Sequence, residues 1–266
     1  MSVLAWILAA CLAGGLLSVL LAAVVAFRVQ ARLVPVLVSY AVGALLGAVF
    51  LDILPHLFEE SRNPSATAAL ILFGILGFFI LEKLLLWRHH HHDDAAGGEG
   101  GHYHDGAAHS HGNDAGRSGW MIVIGDSFHN FTDGVIIASA FLADVRLGIV
   151  TAAAIVAHEV PQEVGDFLVL LNSGFSKARA LAMNALASLA NIAGALLGYF
   201  ALSAAQEWVG HMLAIAAASM IYVAVADLIP GLHRRTRLAE TVLQVAFIGL
   251  GIGTLWAVHL ALGETH

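Results

Sequence analysis

Two stretches of the chain carry acids, amides and histidines within otherwise apolar sequence. The first reads Asp-Ser-Phe-His-Asn-Phe-Thr-Asp-Gly (Asp126–Gly134) and the second reads His-Glu-Val-Pro-Gln-Glu-Val-Gly-Asp (His158–Asp166). Imidazole nitrogens and carboxylate oxygens are donors that zinc binds at about 2.0–2.2 Å, usually four at a time. The two stretches therefore predict a site for a divalent metal ion. The candidate ligands, including one amide on a later helix, are Asp126, His129, Asn130, Asp133, His158, Glu159, Gln162, Glu163 and Asn191.

Helical spacing places the donors of each stretch on one face. In the first stretch they fall at i, i+3, i+4 and i+7, and in the second His158, Gln162 and Asp166 form one stripe beside Glu159 and Glu163. Counted from the outer ends of their helices at 1.5 Å per residue, His129 and His158 lie roughly 20 and 16 Å deep. The groups should therefore meet near the middle of a bilayer, where ionisable residues usually mark a functional site.

Composition assigns the chain to the membrane proteins. Of its 266 residues 59% are hydrophobic and only 12% are charged, and its mean hydropathy is +0.82. A bilayer core requires about 20 apolar residues per helix. Eight such runs fit the sequence, so we predict an all-α membrane protein in which residues 1–266 form a single transmembrane domain. The predicted spans are 3–27, 34–57, 66–87, 119–142, 147–172, 180–203, 209–231 and 239–262.

The distribution of Lys and Arg predicts the orientation, since basic residues concentrate in cytoplasmic loops. Every second junction is basic, whereas the other side holds only Arg62 and Arg146. Both termini are therefore predicted to lie outside. The same scarcity of outer basic residues argues against binding nucleic acid. The basic junctions contain Arg28, Arg32, Lys83, Arg88, Arg117, Lys177, Arg179, Arg234, Arg235 and Arg237.

Residues 88–118 differ in composition from the rest of the chain. Eight of the fifteen histidines lie here among Gly, Ala and Asp, which predicts a flexible cytoplasmic loop. Clustered imidazoles bind zinc, copper or nickel without a fixed fold. The loop is therefore expected to buffer or sense metal.

The same pattern, acid–apolar–apolar–Pro, occurs near the C-terminal ends of two predicted helices that cross the membrane in opposite directions. They are Asp52-Ile53-Leu54-Pro55, followed by His56, and Asp227-Leu228-Ile229-Pro230. This echo suggests an inverted repeat, with spans one to three related to spans six to eight and spans four and five between them (3+2+3). Asp52 and His56 share a helix face, either as interfacial groups or as an entrance site for a cation.

Other functions fit parts of the pattern. His158-Glu159 begins like the His-Glu-x-x-His motif of zinc proteases, so an intramembrane zinc-dependent hydrolase is the alternative. Gln162 stands where that motif has its second His, and Pro161 would distort the turn, which favours a non-enzymatic role. A metal-gated channel would share the same site. A neutral imidazole is needed to bind metal, so protons should compete with metal below about pH 6.5.

The two stretches resemble the paired signatures of the ZIP (Zrt/Irt-like) metal transporters, and most of all the LIV-1-like branch. His129-Asn130-Phe131-Thr132-Asp133-Gly134 corresponds to the first signature, and His158 to Asp166 corresponds to the second. The loop rich in histidine between spans three and four also fits this family. One departure is Gln162, where the LIV-1-like signature usually has His.

The resemblance implies uptake of a divalent metal into the cytoplasm by an elevator-like movement of a homodimer. The cargo would be Zn²⁺, or else Fe²⁺, Mn²⁺ or Cd²⁺, because ligand affinity alone does not select among them. The short chain predicts a minimal transport core in a bacterial inner membrane. The first metal position would use His129, Asp133, His158 and Gln162. The second would use Asn130, Glu159 and Asn191.

Overall fold

The computed structural model describes residues 2–28, 34–94, 117–233 and 237–263, and these residues contain helices and no β-strand. A helical segment occupies each of the eight predicted runs. They are α1 (Val3–Arg28), α2 (Val34–Glu60), α3 (Pro64–Asp94), α4 (Arg117–Ala143), α5 (Val145–Asn172), α6 (Lys177–Ala204), α7 (Gln206–His233) and α8 (Leu238–Gly263).

Six of these segments are long and apolar enough to cross a membrane: α1, α2, α3, α6, α7 and α8. This agrees with an all-α integral membrane protein. The other two, α4 and α5, fall outside this set of spans, and they are the helices that carry the two polar stretches. Polar residues lower the mean hydropathy of a helix even when they face the protein interior.

Two segments contain a π-helical turn that periodicity did not predict. In α2 the turn covers Val49–Ile53 and includes Asp52, and in α7 it covers Val223–Leu228 and includes Asp227. A proline follows each turn, Pro55 and Pro230. Because proline has no N–H and its ring clashes with the carbonyl four residues earlier, a wider turn relieves both problems.

The helices divide into two groups by their packing. One group contains the helices with the predicted metal ligands, and we call it the ligand-bearing group; it comprises α1, α4, α5 and α6. The other, which we call the flanking group, comprises α2, α3, α7 and α8. Within each group two helices approach closely through glycines. A Cβ atom on Gly134 of α4 would lie 1.9 Å from the Asn191 carbonyl of α6, and one on Gly43 of α2 would lie 2.0 Å from the Ile248 carbonyl of α8. The groups meet mainly through contacts of α5 with α2 and of α4 with α7.

The predicted loop at 88–118 is shortened by its flanking helices. The helix α3 continues to Asp94, through the first four histidines, and α4 begins at Arg117. The other four histidines of this segment, His102, His104, His109 and His111, lie outside the described residues.

Candidate metal site

The chain reverses direction between α4 and α5 at one residue. Asp144 lies between the two helices and caps α5, because its carboxylate accepts hydrogen bonds from the backbone N–H groups of Arg146 (2.8 Å) and Leu147 (3.1 Å). The helix α5 therefore runs back along α4. It continues through Pro161 to Asn172, and the two polar stretches come to lie side by side.

Four side chains from these helices converge on one point: His129, Asp133, His158 and Glu159, whose ligand atoms all lie within 4.8 Å of one another. The two Nε2 atoms of the histidines are 3.1 Å apart. The Asp133 Oδ2 atom lies 3.6 Å from Nε2 of His129 and 3.3 Å from Nε2 of His158. The Glu159 Oε1 atom lies 3.8 and 3.9 Å from the same two nitrogens. We call these four residues the central cluster.

The spacing of the central cluster suits a tetrahedral ion. Four ligands at the zinc distances above would be separated from one another by about 3.3 Å. The five separations that involve a histidine nitrogen, 3.1 to 3.9 Å, lie within about 0.6 Å of that value. Two imidazoles and two carboxylates also match the donor preference of zinc.

Two oxygens of the cluster are buried and form no hydrogen bond within the described part of the chain, although each lies near the two histidine nitrogens. Asp133 Oδ2 and Glu159 Oε1 accept no hydrogen bond among the described residues, and the side chains of Asp133 and Glu159 are only 4% and 5% exposed. A buried carboxylate oxygen without a partner is costly. A bound dication would remove this cost, so the site has the electrostatic character of a cation site.

The amide residues predicted beside the cluster contact a different carboxylate. Asn130 Nδ2 donates to Asp126 Oδ1 at 3.0 Å, and Gln162 Nε2 donates to the same oxygen at 3.3 Å. The Gln162 amide nitrogen is therefore bonded to Asp126, while Glu159 converges with His129, Asp133 and His158. Asp126 and Asn130 are buried, and Gln162 is half-buried.

Glu163 and Asn191, the other two predicted residues, lie in the same interior. The Glu163 carboxylate is fully buried and accepts a hydrogen bond from the Ser188 hydroxyl at 2.8 Å, while Asn184 Nδ2 donates to the Glu163 backbone carbonyl at 2.8 Å. The second Glu163 carboxylate oxygen and the Asn191 amide oxygen have no hydrogen-bond partner among the described residues. The polar residues of α6 thus include hydrogen-bond partners of α5.

An open cavity of about 380 Å³ adjoins the cluster at His129. Its walls come from the predicted cytoplasmic halves of α2, α4, α5 and α7, and they include the acids Asp126, Asp166 and Asp227. Asp227 was noted in the sequence only as part of a repeat. It lies in the π-turn of α7 and lines this cavity.

Apolar side chains pack on the opposite side of the cluster. Val150 and Ala154, two turns and one turn before His158, belong to a buried core that also contains Leu45 of α2 and Leu213 of α7. Nearer the predicted outer surface, His56 lines a second, separate cavity, and its Nε2 lies 3.6 Å from Glu60. The central cluster is therefore accessible from one side and covered on the other.

Comparison with known proteins gives one consistent family. The family of ZIP zinc transporters matches residues 2–259. Zinc transporter ZIP10 of Danio rerio is 35% identical over 55% of this chain, and the ZIP13 homolog of Drosophila melanogaster is 30% identical over 82%. Zinc transporter YKE4 of Saccharomyces cerevisiae is 27% identical over 82%.

The share of each relative that is matched differs widely. The matched region spans only 18% of ZIP10, but 75% of the ZIP13 homolog and 68% of YKE4. The resemblance predicted from the two polar stretches is confirmed, and the hydrolase alternative is set aside because this is a family of transporters and not of enzymes. The chain belongs to the ZIP family of zinc transporters.

Proposed function

We propose that this chain carries Zn²⁺ across a membrane into the cytoplasm, with the ion held in transit by the central cluster. The observation that carries the proposal is the convergence of two imidazoles and two unpartnered carboxylate oxygens, buried between α4 and α5. A second, adjacent cation position would use Asn130, Glu159 and Asn191, as the family resemblance implies. Fe²⁺, Mn²⁺ and Cd²⁺ are the competing cargoes, since the donor set accepts them as well.

Access to the cluster supports inward transport. The cavity that reaches His129 is formed by the predicted cytoplasmic ends of its helices, whereas the predicted outer side is closed by apolar packing around Val150 and Leu45. We assign this arrangement to the state from which metal leaves for the cytoplasm. Uptake then requires an alternative arrangement in which the ligand-bearing group moves against the flanking group.

The packing pattern supports the inverted repeat on which such a movement would depend. An inverted repeat would make four pairs of helices equivalent: α1 and α6, α2 and α7, α3 and α8, and α4 and α5. If each helix is replaced by its equivalent, the contact between α2 and α8 becomes the contact between α7 and α3. The same exchange relates α1–α5 to α6–α4 and α2–α5 to α7–α4, and all of these contacts are present. The π-turns of α2 and α7 also correspond. We therefore retain the 3+2+3 arrangement with both termini outside, and, from the family resemblance, a homodimer in a bacterial inner membrane.

Uptake into proteoliposomes tests the proposal. Purified protein is reconstituted, and accumulation of radiolabelled zinc is compared for the wild type, His158→Ala and Asp133→Ala. The wild type should show saturable uptake, and both variants should lose it because each lacks one of the four donors. A matched control is Glu59→Ala, which removes an exposed carboxylate of α2 outside the cluster. Undiminished saturable uptake by Asp133→Ala would refute the proposal.

A further inference from the structure

The two helix groups are joined by a polar contact near the predicted outer surface. Arg146, in the first turn of α5, donates from Nη2 to the backbone carbonyl of His259 in α8 at 3.4 Å. Nδ1 of His259 is hydrogen-bonded to the Asp52 carboxylate of α2. The Arg146 guanidinium also attracts the Asp52 carboxylate electrostatically. Arg146 belongs to the ligand-bearing group, whereas Asp52 and His259 belong to the flanking group.

The Asp52 carboxylate depends on these neighbours. It is 7% exposed, and its Oδ2 atom has no hydrogen-bond partner among the described residues. A buried carboxylate retains its charge only with close cationic or hydrogen-bonding partners. The π-turn at Val49–Ile53 contains Asp52, so a local distortion of α2 sets the position of this carboxylate.

At their other ends the same two groups are separated. The cavity beside His129 lies between α4 and α5 on one side, with Asp126 and Gln162, and α2 and α7 on the other, with Val38 and Asp227. The groups therefore touch at the predicted outer end and stand apart at the predicted cytoplasmic end. A movement that closed the cavity and opened the outer side would carry Arg146 away from α8.

We propose that Arg146, His259 and Asp52 form a latch that holds the outer ends of the two helix groups together while the cavity beside the central cluster is open. This inference rests on the proposed alternation between an inward-open and an outward-open state. When the transporter opens outward, the contact of Arg146 with α8 breaks. The Asp52–His259 pair remains intact, because both residues belong to the flanking group, in which α2 and α8 are packed closely at Gly43 and Gly251.

A thiol reporter tests the latch. Cys11, the single cysteine of the chain, is first removed by Cys11→Ala, and Val150→Cys then places a thiol in the apolar packing that closes the outer side. Val150 is 1% exposed, so the introduced thiol reacts with a charged maleimide only when that side opens. The reaction rate is measured without zinc on the purified protein, alone and combined with Arg146→Gln or Asp52→Asn.

Arg146→Gln should raise the labelling rate about tenfold, the effect of losing a hydrogen bond that involves a charged group. Asp52→Asn should also raise the rate, because it removes the electrostatic attraction between Asp52 and the Arg146 guanidinium. Arg62→Gln is the matched control, because Arg62 is also a predicted outer arginine but is exposed and forms no ion pair among the described residues. It should leave the rate unchanged. Size-exclusion chromatography identifies variants that do not fold. We expect Arg146→Gln to fold more readily than Asp52→Asn, because Arg146 is only half-buried.

An unchanged labelling rate in folded Arg146→Gln protein would overturn the latch, and so would an equal increase in Arg62→Gln. The labelling experiment uses no zinc, whereas the proposed function is tested by zinc uptake in Asp133→Ala. A negative labelling result would therefore refute the latch without refuting zinc transport, and a negative uptake result would refute zinc transport without deciding the labelling result.

Discussion

The central cluster combines charge neutrality with dehydration. Asp133 and Glu159 together carry two negative charges when ionised, which equals the charge of one Zn²⁺, and His129 and His158 supply two neutral donors. Moving an uncompensated charge into a low-dielectric interior is very costly, whereas a neutral complex avoids most of that cost. In the proposed function, the four residues would therefore allow a dication to occupy the membrane interior without its water shell.

The placement of Glu159 and Gln162 makes a prediction for single substitutions. Glu159→Gln removes a donor from the cluster and leaves the complex with a net positive charge, so zinc affinity should fall by about 100-fold or more. Gln162→Ala removes a partner of Asp126 and should lower zinc affinity by about tenfold, the lower end of the range for an outer-shell partner. Isothermal titration of the purified variants with zinc measures both effects.

The opposite order of the two effects would show that Gln162, as the family resemblance implies, is a ligand and that Glu159 serves the second position. Asn130→Ala offers a further comparison, because Asn130 also donates to Asp126. Its effect on zinc affinity should resemble that of Gln162→Ala.

At the level of helices, the close approach of α4 and α6 determines where the cluster lies. A Cβ on Gly134 would meet the Asn191 carbonyl at 1.9 Å, and a Cβ on Gly194 would meet the Phe131 carbonyl at 1.9 Å. Both obstacles are backbone atoms, which cannot rotate away as a side chain can. Gly134 also directly follows Asp133, so separating the helices would displace a cluster residue.

Gly134→Ala should therefore destabilise the protein by about 1–3 kcal/mol, the usual cost of overpacking. Gly125→Ala is the matched control in the same helix: its Cβ would meet nothing within 4 Å, and alanine is the better helix former by about 1 kcal/mol. Thermal melting in detergent compares the two variants. Equal melting temperatures for Gly134→Ala and the wild type would contradict the close approach.

The sequence predicted the helices well because each depends on a long apolar run, and it predicted the meeting of α4 and α5 because both carry polar residues at matched depth. It did not predict the π-turns, because they leave no mark on the hydropathy of the sequence or on the order of its polar residues. Only Pro55 and Pro230 signalled them. The sequence also could not predict that Gln162 donates a hydrogen bond to Asp126. A rotation of α5 about its axis by a fraction of a turn changes which of its side chains face α4, and the sequence does not define that rotation.

At the level of the whole molecule, the cavity, the central cluster and the apolar packing around Val150 follow one another along a single path. The cavity adjoins the cluster at His129, and Val150 lies two turns beyond His158 on α5. Transport in this scheme requires only the helices. We infer that the histidines between α3 and α4 have a separate function, the binding of metal before or after its passage.

Replacing the four histidines His102, His104, His109 and His111 by alanine tests this separation while keeping the length of the chain. Zinc bound per purified molecule should fall, because four imidazole donors are lost. Saturable zinc uptake by proteoliposomes should keep its wild-type maximal rate, since the central cluster is untouched. His158→Ala should give the converse result, with uptake lost and most of the bound zinc retained. If the fourfold variant also lost saturable uptake, the segment between α3 and α4 would have to be counted as part of the transport path, and the division between binding and transport would be wrong.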